Sequence, residues 1–163
     1  MRSSVVPRSA NVATDESLIE RDIRARETAL DVSRSFIVQA PAGSGKTELL
    51  IQRYLCLLAI VDSPEEVLAI TFTRKAAFEM QLRVLAALRK AYEGREGESD
   101  HERKTLSYAR AVLARDEEHD WRLLDSPGRM RIETVDAFSA GIARSLPLSS
   151  GLACAGSTAA DAE

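Results

Sequence analysis

The feature that most constrains this chain is the run Ala-Pro-Ala-Gly-Ser-Gly-Lys-Thr at residues 40–47. It directly follows the apolar stretch Ser35–Gln39, so the pattern predicts a strand that leads into a glycine-rich loop and then a helix. Gly43 and Gly45 carry no Cβ, which lets successive backbone N–H groups turn inward and surround an anion. The sequence therefore predicts nucleotide binding at residues 40–47, which we call the glycine loop.

The last two residues of the glycine loop have side chains suited to phosphate chemistry. Lys46 carries a charge that can reach the β and γ phosphates of ATP, and the Thr47 hydroxyl is an oxygen ligand for Mg²⁺. We expect these two residues to be catalytic, with ATP and Mg²⁺ as cofactors. The alternative is a chance glycine-rich turn, since Ala40 stands where the usual pattern has glycine. The predicted nucleotide-binding residues are Ala40, Pro41, Ala42, Gly43, Ser44, Gly45, Lys46 and Thr47.

Composition limits the class of protein. The 163 residues suit one domain or a piece of a larger one, and the chain is 45% hydrophobic and 29% charged, as globular proteins are. A net charge of −3 argues against a simple electrostatic coat on nucleic acid, so any such contact would depend on a local basic surface. Cys56 and Cys154 lie far apart without zinc spacing, and no long apolar run predicts a membrane span, so we expect a reduced, cytoplasmic setting.

Hydrophobic periodicity predicts alternating strands and helices, and so an α/β fold with a parallel sheet and helices on both faces. Helix caps are expected at Asp15, Thr73 and Asp136. Ligands bind at the carboxyl ends of parallel strands, so the glycine loop and Thr71–Thr73 should share one edge of the sheet. In chain order we expect an arm at 1–14, helix 15–33, strand 35–39, helix 46–60, a capped turn at 63–66, strand 67–72, helix 74–92, helix 102–115, strand 131–134 and helix 136–146.

Two segments depart from this alternation. From about residue 89 to 128 charges of both signs are mixed, and we interpret this segment as a solvated charged helical insertion. Trp121, Leu123 and Leu124 are expected to hold its end against the body. Residues 149–163 consist mostly of Ser, Gly, Ala and Thr, which predicts a low-complexity or truncated tail. The predicted domain therefore spans residues 15–148.

The ends of the later strands carry a further pattern. At residues 71–75 an aromatic ring, two hydroxyls and two cations follow the strand, a set that can stack a base and hold its phosphates. At residues 134–138 a hydroxyl and an aromatic ring again follow a strand. Taken singly, each stretch is equally typical of a core phenylalanine beside a solvated helix start. The predicted DNA-binding residues are Phe72, Thr73, Arg74, Lys75, Thr134 and Phe138.

Together the three motifs resemble the N-terminal part of UvrD/RecB-like superfamily 1 DNA helicases. The matching pieces are residues 40–47, 68–80 and 132–138, in the order and spacing of the family's motif I, motif Ia and the DNA-contact motif that follows. The Thr-Val-Asp-Ala-Phe form of the third piece is most similar to the RecB or AddA branch of helicase–nucleases. The resemblance covers residues from about 20 to 148 and implies a RecA-like fold for the first motor domain.

The resemblance implies an ATP-dependent motor that translocates on single-stranded DNA in repair and recombination. Other subunits of a helicase–nuclease complex would be partners, and a membrane would not. ATP hydrolysis in the family also needs a later Asp-Glu motif and a second RecA-like domain. Here neither Asp15-Glu16 nor Glu117-Glu118 follows an apolar strand, so we expect an incomplete motor domain that is not catalytically competent alone.

Two positions differ from the family pattern. The adenine-reading glutamine of the family is absent from Arg26–Leu30, where that motif should lie, and Glu48 stands where several relatives have arginine. The segment therefore lacks the residue by which the resemblance implies that adenine is read. Two alternatives stay open: a small kinase with the same type of loop, and a non-catalytic nucleotide-binding module. A kinase would need a cationic lid, and the candidates for it are Arg95, Arg103, Lys104, Arg110 and Arg115.

Overall fold

The computed structural model describes residues 20–41 and 43–145. The predicted cap at Asp15, the loop residue Ala42 and the tail at 149–163 lie outside the described residues. Helix α1 occupies residues 20–29 of the described part. The elements that follow are α2 (Lys46–Leu58), β1 (Leu68–Thr71), α3 (Arg74–Tyr92), α4 (Asp100–His119), β2 (Arg131–Thr134) and α5 (Val135–Ser145), with 3₁₀ turns at Pro64–Glu66 and Pro127–Arg129.

The sheet of the described part consists of two parallel strands, β1 and β2. Their register pairs Leu68 with Arg131 and Thr71 with Thr134, so both strands end at the same edge. Helices α3 and α4 form the connection between them, as a parallel pair requires. The observed fold is therefore α/β and mostly helical, and β2 has the bounds that the sequence predicted. No helix within residues 20–41 and 43–145 is long and apolar enough to span a bilayer.

The predicted strand at 35–39 is not observed. Residues 35–40 have no regular secondary structure, and the Ile37 side chain is 93% exposed. A strand exists only through a hydrogen-bonded ladder to a neighbour, and in the described part neither β1 nor β2 pairs with this segment. An apolar run is visible in sequence, whereas its pairing partner is not. The sequence predicted a larger parallel sheet with helices on both faces, whereas the sheet of the described part has two strands.

Of the two predicted helix caps that lie in the described part, one is confirmed and one is wrong. The Thr73 hydroxyl accepts a hydrogen bond from the N–H three residues later at 3.1 Å, which confirms it as the cap of α3. The turn at Pro64–Glu66 has the predicted capping box. The prediction of Asp136 as the cap of α5 is wrong, because that helix already begins at Val135. Its cap is Thr134, whose hydroxyl accepts from the N–H three residues later at 3.1 Å.

The charged segment at 89–128 is not a solvated insertion. Helix α4 is longer than the predicted helix 102–115 and packs against α2 and α3. Leu106, Ala109 and Val112 form one face of it and are at most 1% exposed. They recur every three residues, as the apolar residues on a buried helix face do. The many charged residues around them made this periodicity hard to recognise in the sequence. The predicted bounds of the domain, residues 15–148, stay a prediction.

The end of this segment returns to the core as predicted. Trp121 and Leu123 are buried and Leu124 is partly buried against the same core, which confirms the expectation that they hold it against the body. The Trp121 indole N–H donates to the Asp62 carbonyl at 3.1 Å, so its polar atom is satisfied on burial. The segment from α4 to β2 is therefore attached to the loop before β1.

An ion pair joins the two 3₁₀ turns that precede the strands. Arg129 donates through Nε and Nη2 to the two carboxylate oxygens of Glu65, at 2.6 and 3.1 Å. Its Nη1 donates to the Trp121 carbonyl at 3.0 Å. The hydrogen bonds from Arg129 are the largest cause that lowers the pKa of Glu65, from 4.5 to about 2. The bidentate contact connects the turns from which β1 and β2 start.

Replacing Arg129 by glutamine is expected to lower the free energy of unfolding at pH 7 by about 1 kcal/mol. The effect is modest because the Arg129 and Glu65 side chains are 35% and 42% exposed. The folded-state pKa of Glu65 lies below its unfolded value. The stabilisation is therefore complete above pH 4.5 and is lost as the pH falls toward about 2. Urea unfolding of both proteins across that range measures the difference.

The control is Arg122→Gln, which breaks an ion pair with Asp120, only two residues away in the chain. It is expected to leave the free energy of unfolding nearly unchanged, because both side chains are exposed. A difference between Arg129→Gln and the unsubstituted chain that stays constant from pH 7 to pH 2.5 would contradict the prediction.

Candidate functional site

The glycine loop lies at the N-terminus of α2, where the sequence predicted it. Gly43 and Gly45 have φ angles of +78° and +79°, which side chains with a Cβ rarely adopt. Gly45 is the residue from which α2 starts, and no described side chain caps that end. The N–H groups of a first helical turn have no partner within the helix, and the helix dipole places positive charge there. This end of α2 is therefore suited to an anion.

Lys46 and Thr47 stand at the beginning of that helix. The Lys46 ammonium donates to the carbonyl oxygens of Ala40 and Pro41, at 2.6 and 2.5 Å, so it lies across the loop. Thr47 is exposed, and its hydroxyl is a hard oxygen donor that fits Mg²⁺ together with phosphate oxygens and water. The described part contains no cluster of three His, Cys, Asp or Glu side chains that could hold a metal ion.

Sequence reasoning missed Arg26 as a contact of the glycine loop. Its Nη2 donates to the Ser44 carbonyl at 2.5 Å, and its Nε donates to Asp22 at 2.7 Å. Its Nη1 lies 3.4 Å from the position that a Cβ on Gly45 would occupy. The signal in the sequence was an arginine in the segment where the resemblance predicts a glutamine. Nothing local showed that this side chain reaches the loop.

A second arginine holds α1 near the glycine loop. Arg53 of α2 donates through Nη1 to the carbonyls of Ala29 and Asp31, at 2.6 and 3.0 Å. Its Nη2 donates to the Arg34 carbonyl at 2.7 Å. These acceptors lie at and just beyond the end of α1, where helix geometry leaves carbonyl groups unpaired. The guanidinium also lies 5.3 Å from the centre of the Phe36 ring, which holds the segment before the loop.

Glu48 belongs to the interface between α2 and α4. Its carboxylate accepts from the Thr105 hydroxyl at 3.0 Å and lies 3.8 Å from Nε2 of His101. The same hydroxyl accepts from the buried Gln52 amide at 2.9 Å. Glu48 therefore helps to pack α4 against α2.

Strands β1 and β2 end side by side, which brings together predicted DNA-binding residues from both. Thr71 and Thr134 are paired in the register. Phe72, directly after β1, is 94% exposed, so its ring takes no part in the core. Arg74 and Lys75 are exposed as well. We call the segment 72–75 the β1–α3 corner, and its exposed ring beside two cations is an arrangement suited to unpaired bases.

The other predicted DNA-binding residues have partners within the protein. The Thr73 and Thr134 hydroxyls cap α3 and α5, and Thr134 is buried. Phe138 is partly buried, with the Arg131 guanidinium 5.7 Å from its ring centre. The structure therefore separates the outward residues of the β1–α3 corner from residues that shape the backbone around them.

Most of the charged residues that the sequence suggested for a lid or for an acidic motif lie in α4, and their positions there do not fit those roles. Lys104 pairs with Glu27 of α1 at 2.9 Å, and Arg115 pairs with Asp62 at 2.6 Å. Both belong to α4, which is packed in the core and so does not resemble a mobile lid. Glu117-Glu118 also lies within α4 and follows no strand.

These observations define an α/β protein with a glycine-containing loop at the start of a helix, a geometry suited to an anion. The UvrD/REP helicase N-terminal domain family matches residues 22–158. The chain belongs to this family, which confirms the resemblance found in the motifs.

Several relatives are similar to part of the chain. An ATP-dependent helicase/nuclease subunit of Ligilactobacillus salivarius is 38% identical over 84 residues, which cover 52% of this chain and 7% of that protein. A protein of the same description from Desulfitobacterium hafniense is 41% identical over 73 residues, 43% of this chain and 5% of that protein. The DNA helicase II of Salmonella typhimurium is 42% identical over 62 residues, 37% of this chain and 9% of that protein.

The aligned region is thus less than a tenth of the length of each of these relatives. No solved structure matches the chain.

Proposed function

We propose that this chain is the ATP-binding part of an ATP-dependent DNA helicase with a RecA-like first motor domain. Its role would be translocation on single-stranded DNA in repair and recombination. Membership of the UvrD/REP family supports the motor function. The observation that carries nucleotide binding is the glycine loop itself, with Gly43 and Gly45 in left-handed conformations at the start of α2 and Lys46 across it. The relatives described as helicase/nuclease subunits support assembly with further subunits.

In this proposal the chain's own groups bind and orient the phosphates. Lys46 exchanges the carbonyls of Ala40 and Pro41 for β and γ phosphate oxygens, which are stronger acceptors because they are charged. The N–H groups of the first turn of α2 donate to the same phosphates. The Thr47 hydroxyl would be the protein ligand of Mg²⁺, which when bound offsets the charge of the phosphates.

We propose that ATP turnover depends on groups beyond those described. Hydrolysis by this class of site needs an acid at the end of a neighbouring strand, a group that orients water and an arginine that stabilises the transferred charge. Both described strands end in threonine, Thr71 and Thr134, and neither supplies that acid. Binding of nucleotide is therefore the activity expected of the 163-residue chain alone.

We propose that single-stranded DNA crosses the β1–α3 corner, and Phe72 provides the test. Phe72→Ala is expected to weaken binding of an oligothymidylate about tenfold, because stacking contributes about 1–3 kcal/mol per base. Fluorescence anisotropy with a labelled oligonucleotide measures the affinity.

The matched control is Tyr92→Ala, an exposed aromatic residue at the opposite end of α3, about 27 Å away along the helix. It is expected to leave the affinity unchanged. An equal loss in both variants, or no loss in Phe72→Ala, would contradict a DNA path over this corner.

A further inference from the structure

We propose that Arg26 is a second cation of the phosphate site and acts beside Lys46. This inference rests on the proposed function of the glycine loop. The family resemblance predicts no such role, since it expects an uncharged glutamine in this region. The structure instead places a guanidinium from α1 against the loop.

The contacts of Arg26 place its charge at the end of the loop from which α2 starts. Nη2 donates to the Ser44 carbonyl at 2.5 Å, and Nη1 lies 3.4 Å from the Cβ position of Gly45. The side chain is only 30% exposed, and the Asp22 carboxylate orients it through Nε. Arg53 fixes the end of α1 and so keeps Arg26 within reach of the loop.

The chemistry of a guanidinium favours a phosphate over an adenine base at this place. Arginine has five N–H donors and no acceptor, and in the described part Nη1 makes no hydrogen bond. A donor-only group pairs well with phosphate oxygens but cannot accept from the amino group of adenine, which a glutamine can. Arg26 touches the backbone of the loop itself. Its remaining donors are therefore best used by an anion held in that loop.

A phosphate role differs measurably from a purely structural one. If Arg26 only braces Ser44, a neutral side chain of similar reach should keep much of the binding. If its charge acts on the anion, the affinity should depend on that charge, fall with added salt and be independent of the base. The variants Arg26→Gln and Arg26→Lys separate these cases, because glutamine keeps donors without charge and lysine keeps the charge.

The experiment is calorimetric titration of the full 163-residue chain with inorganic tripolyphosphate, Mg-ATP and Mg-GTP. Arg26→Gln is expected to weaken all three about tenfold, and Arg26→Lys by less than about threefold. Arg24→Gln, the same change on an exposed residue of α1, is expected to have no effect. Thermal unfolding without anion shows that each variant is folded at the temperature of titration.

The outcomes separate this inference from the function on which it rests. If Lys46→Ala leaves tripolyphosphate binding unchanged, the proposed function of the loop fails. If Lys46→Ala weakens binding but Arg26→Gln behaves like Arg24→Gln, only the role of Arg26 is overturned. A loss that is confined to the two nucleotides, or that Arg26→Lys does not restore, likewise overturns a phosphate role.

Discussion

Replacing Lys46 by alanine is expected to weaken binding of Mg-ATP by about a hundredfold. The reason is that hydrogen bonds to charged groups contribute about 1.5–3 kcal/mol each, and the substitution removes an ammonium that can donate to both β and γ phosphates. Its present partners are the carbonyls of Ala40 and Pro41 at an exposed site. The free energy of unfolding should therefore change by less than about 0.5 kcal/mol. Calorimetric titration and urea unfolding measure the two quantities.

Lys90→Ala is the matched control for this loss of charge. Lys90 lies in the last turn of α3 and pairs with Glu102 at the surface, at 2.7 Å. Its removal should leave nucleotide affinity unchanged. Equal affinities of Lys46→Ala and the unsubstituted chain would mean that the glycine loop does not bind phosphate, whatever its backbone conformation.

The second large effect is expected in the core. Leu106→Ala in α4 should lower the free energy of unfolding by about 3 kcal/mol, because it leaves a cavity among fully buried side chains. Leu106 is 1% exposed and belongs to the same hydrophobic cluster as Leu55 and Leu88, from α2 and α3. Chemical denaturation followed by circular dichroism measures the change.

Leu82→Ala is the corresponding control, since Leu82 of α3 is 48% exposed. It should cost only about 1 kcal/mol, because a large part of this side chain stays in water and no enclosed cavity is left. If Leu106→Ala were as mild as Leu82→Ala, α4 would behave as the solvated insertion that its charges suggest.

The local sequence was sufficient to predict a structural feature wherever the physical cause of that feature is local. A glycine loop needs positive φ angles that only Gly43 and Gly45 adopt easily, and the hydroxyl of Thr73 can cap a helix whatever surrounds it. For the same reason the bounds of α3 and β2 agree with their periodicity. The combination of three motifs also identified the family without any tertiary structure. The roles assigned to the loop and to the β1–α3 corner remain predictions.

Tertiary structure was needed to find a feature wherever that feature depends on contacts between residues that are distant in the sequence. The run at 35–39 forms no strand because pairing depends on a neighbour, and α4 is buried because α2 and α3 cover its apolar stripe. Arg26 reaches the glycine loop only because Arg53 and the packing of α1 bring it there. Charge and periodicity report what each side chain favours. They do not report which other side chain it will meet, since that follows from the packing of the whole chain.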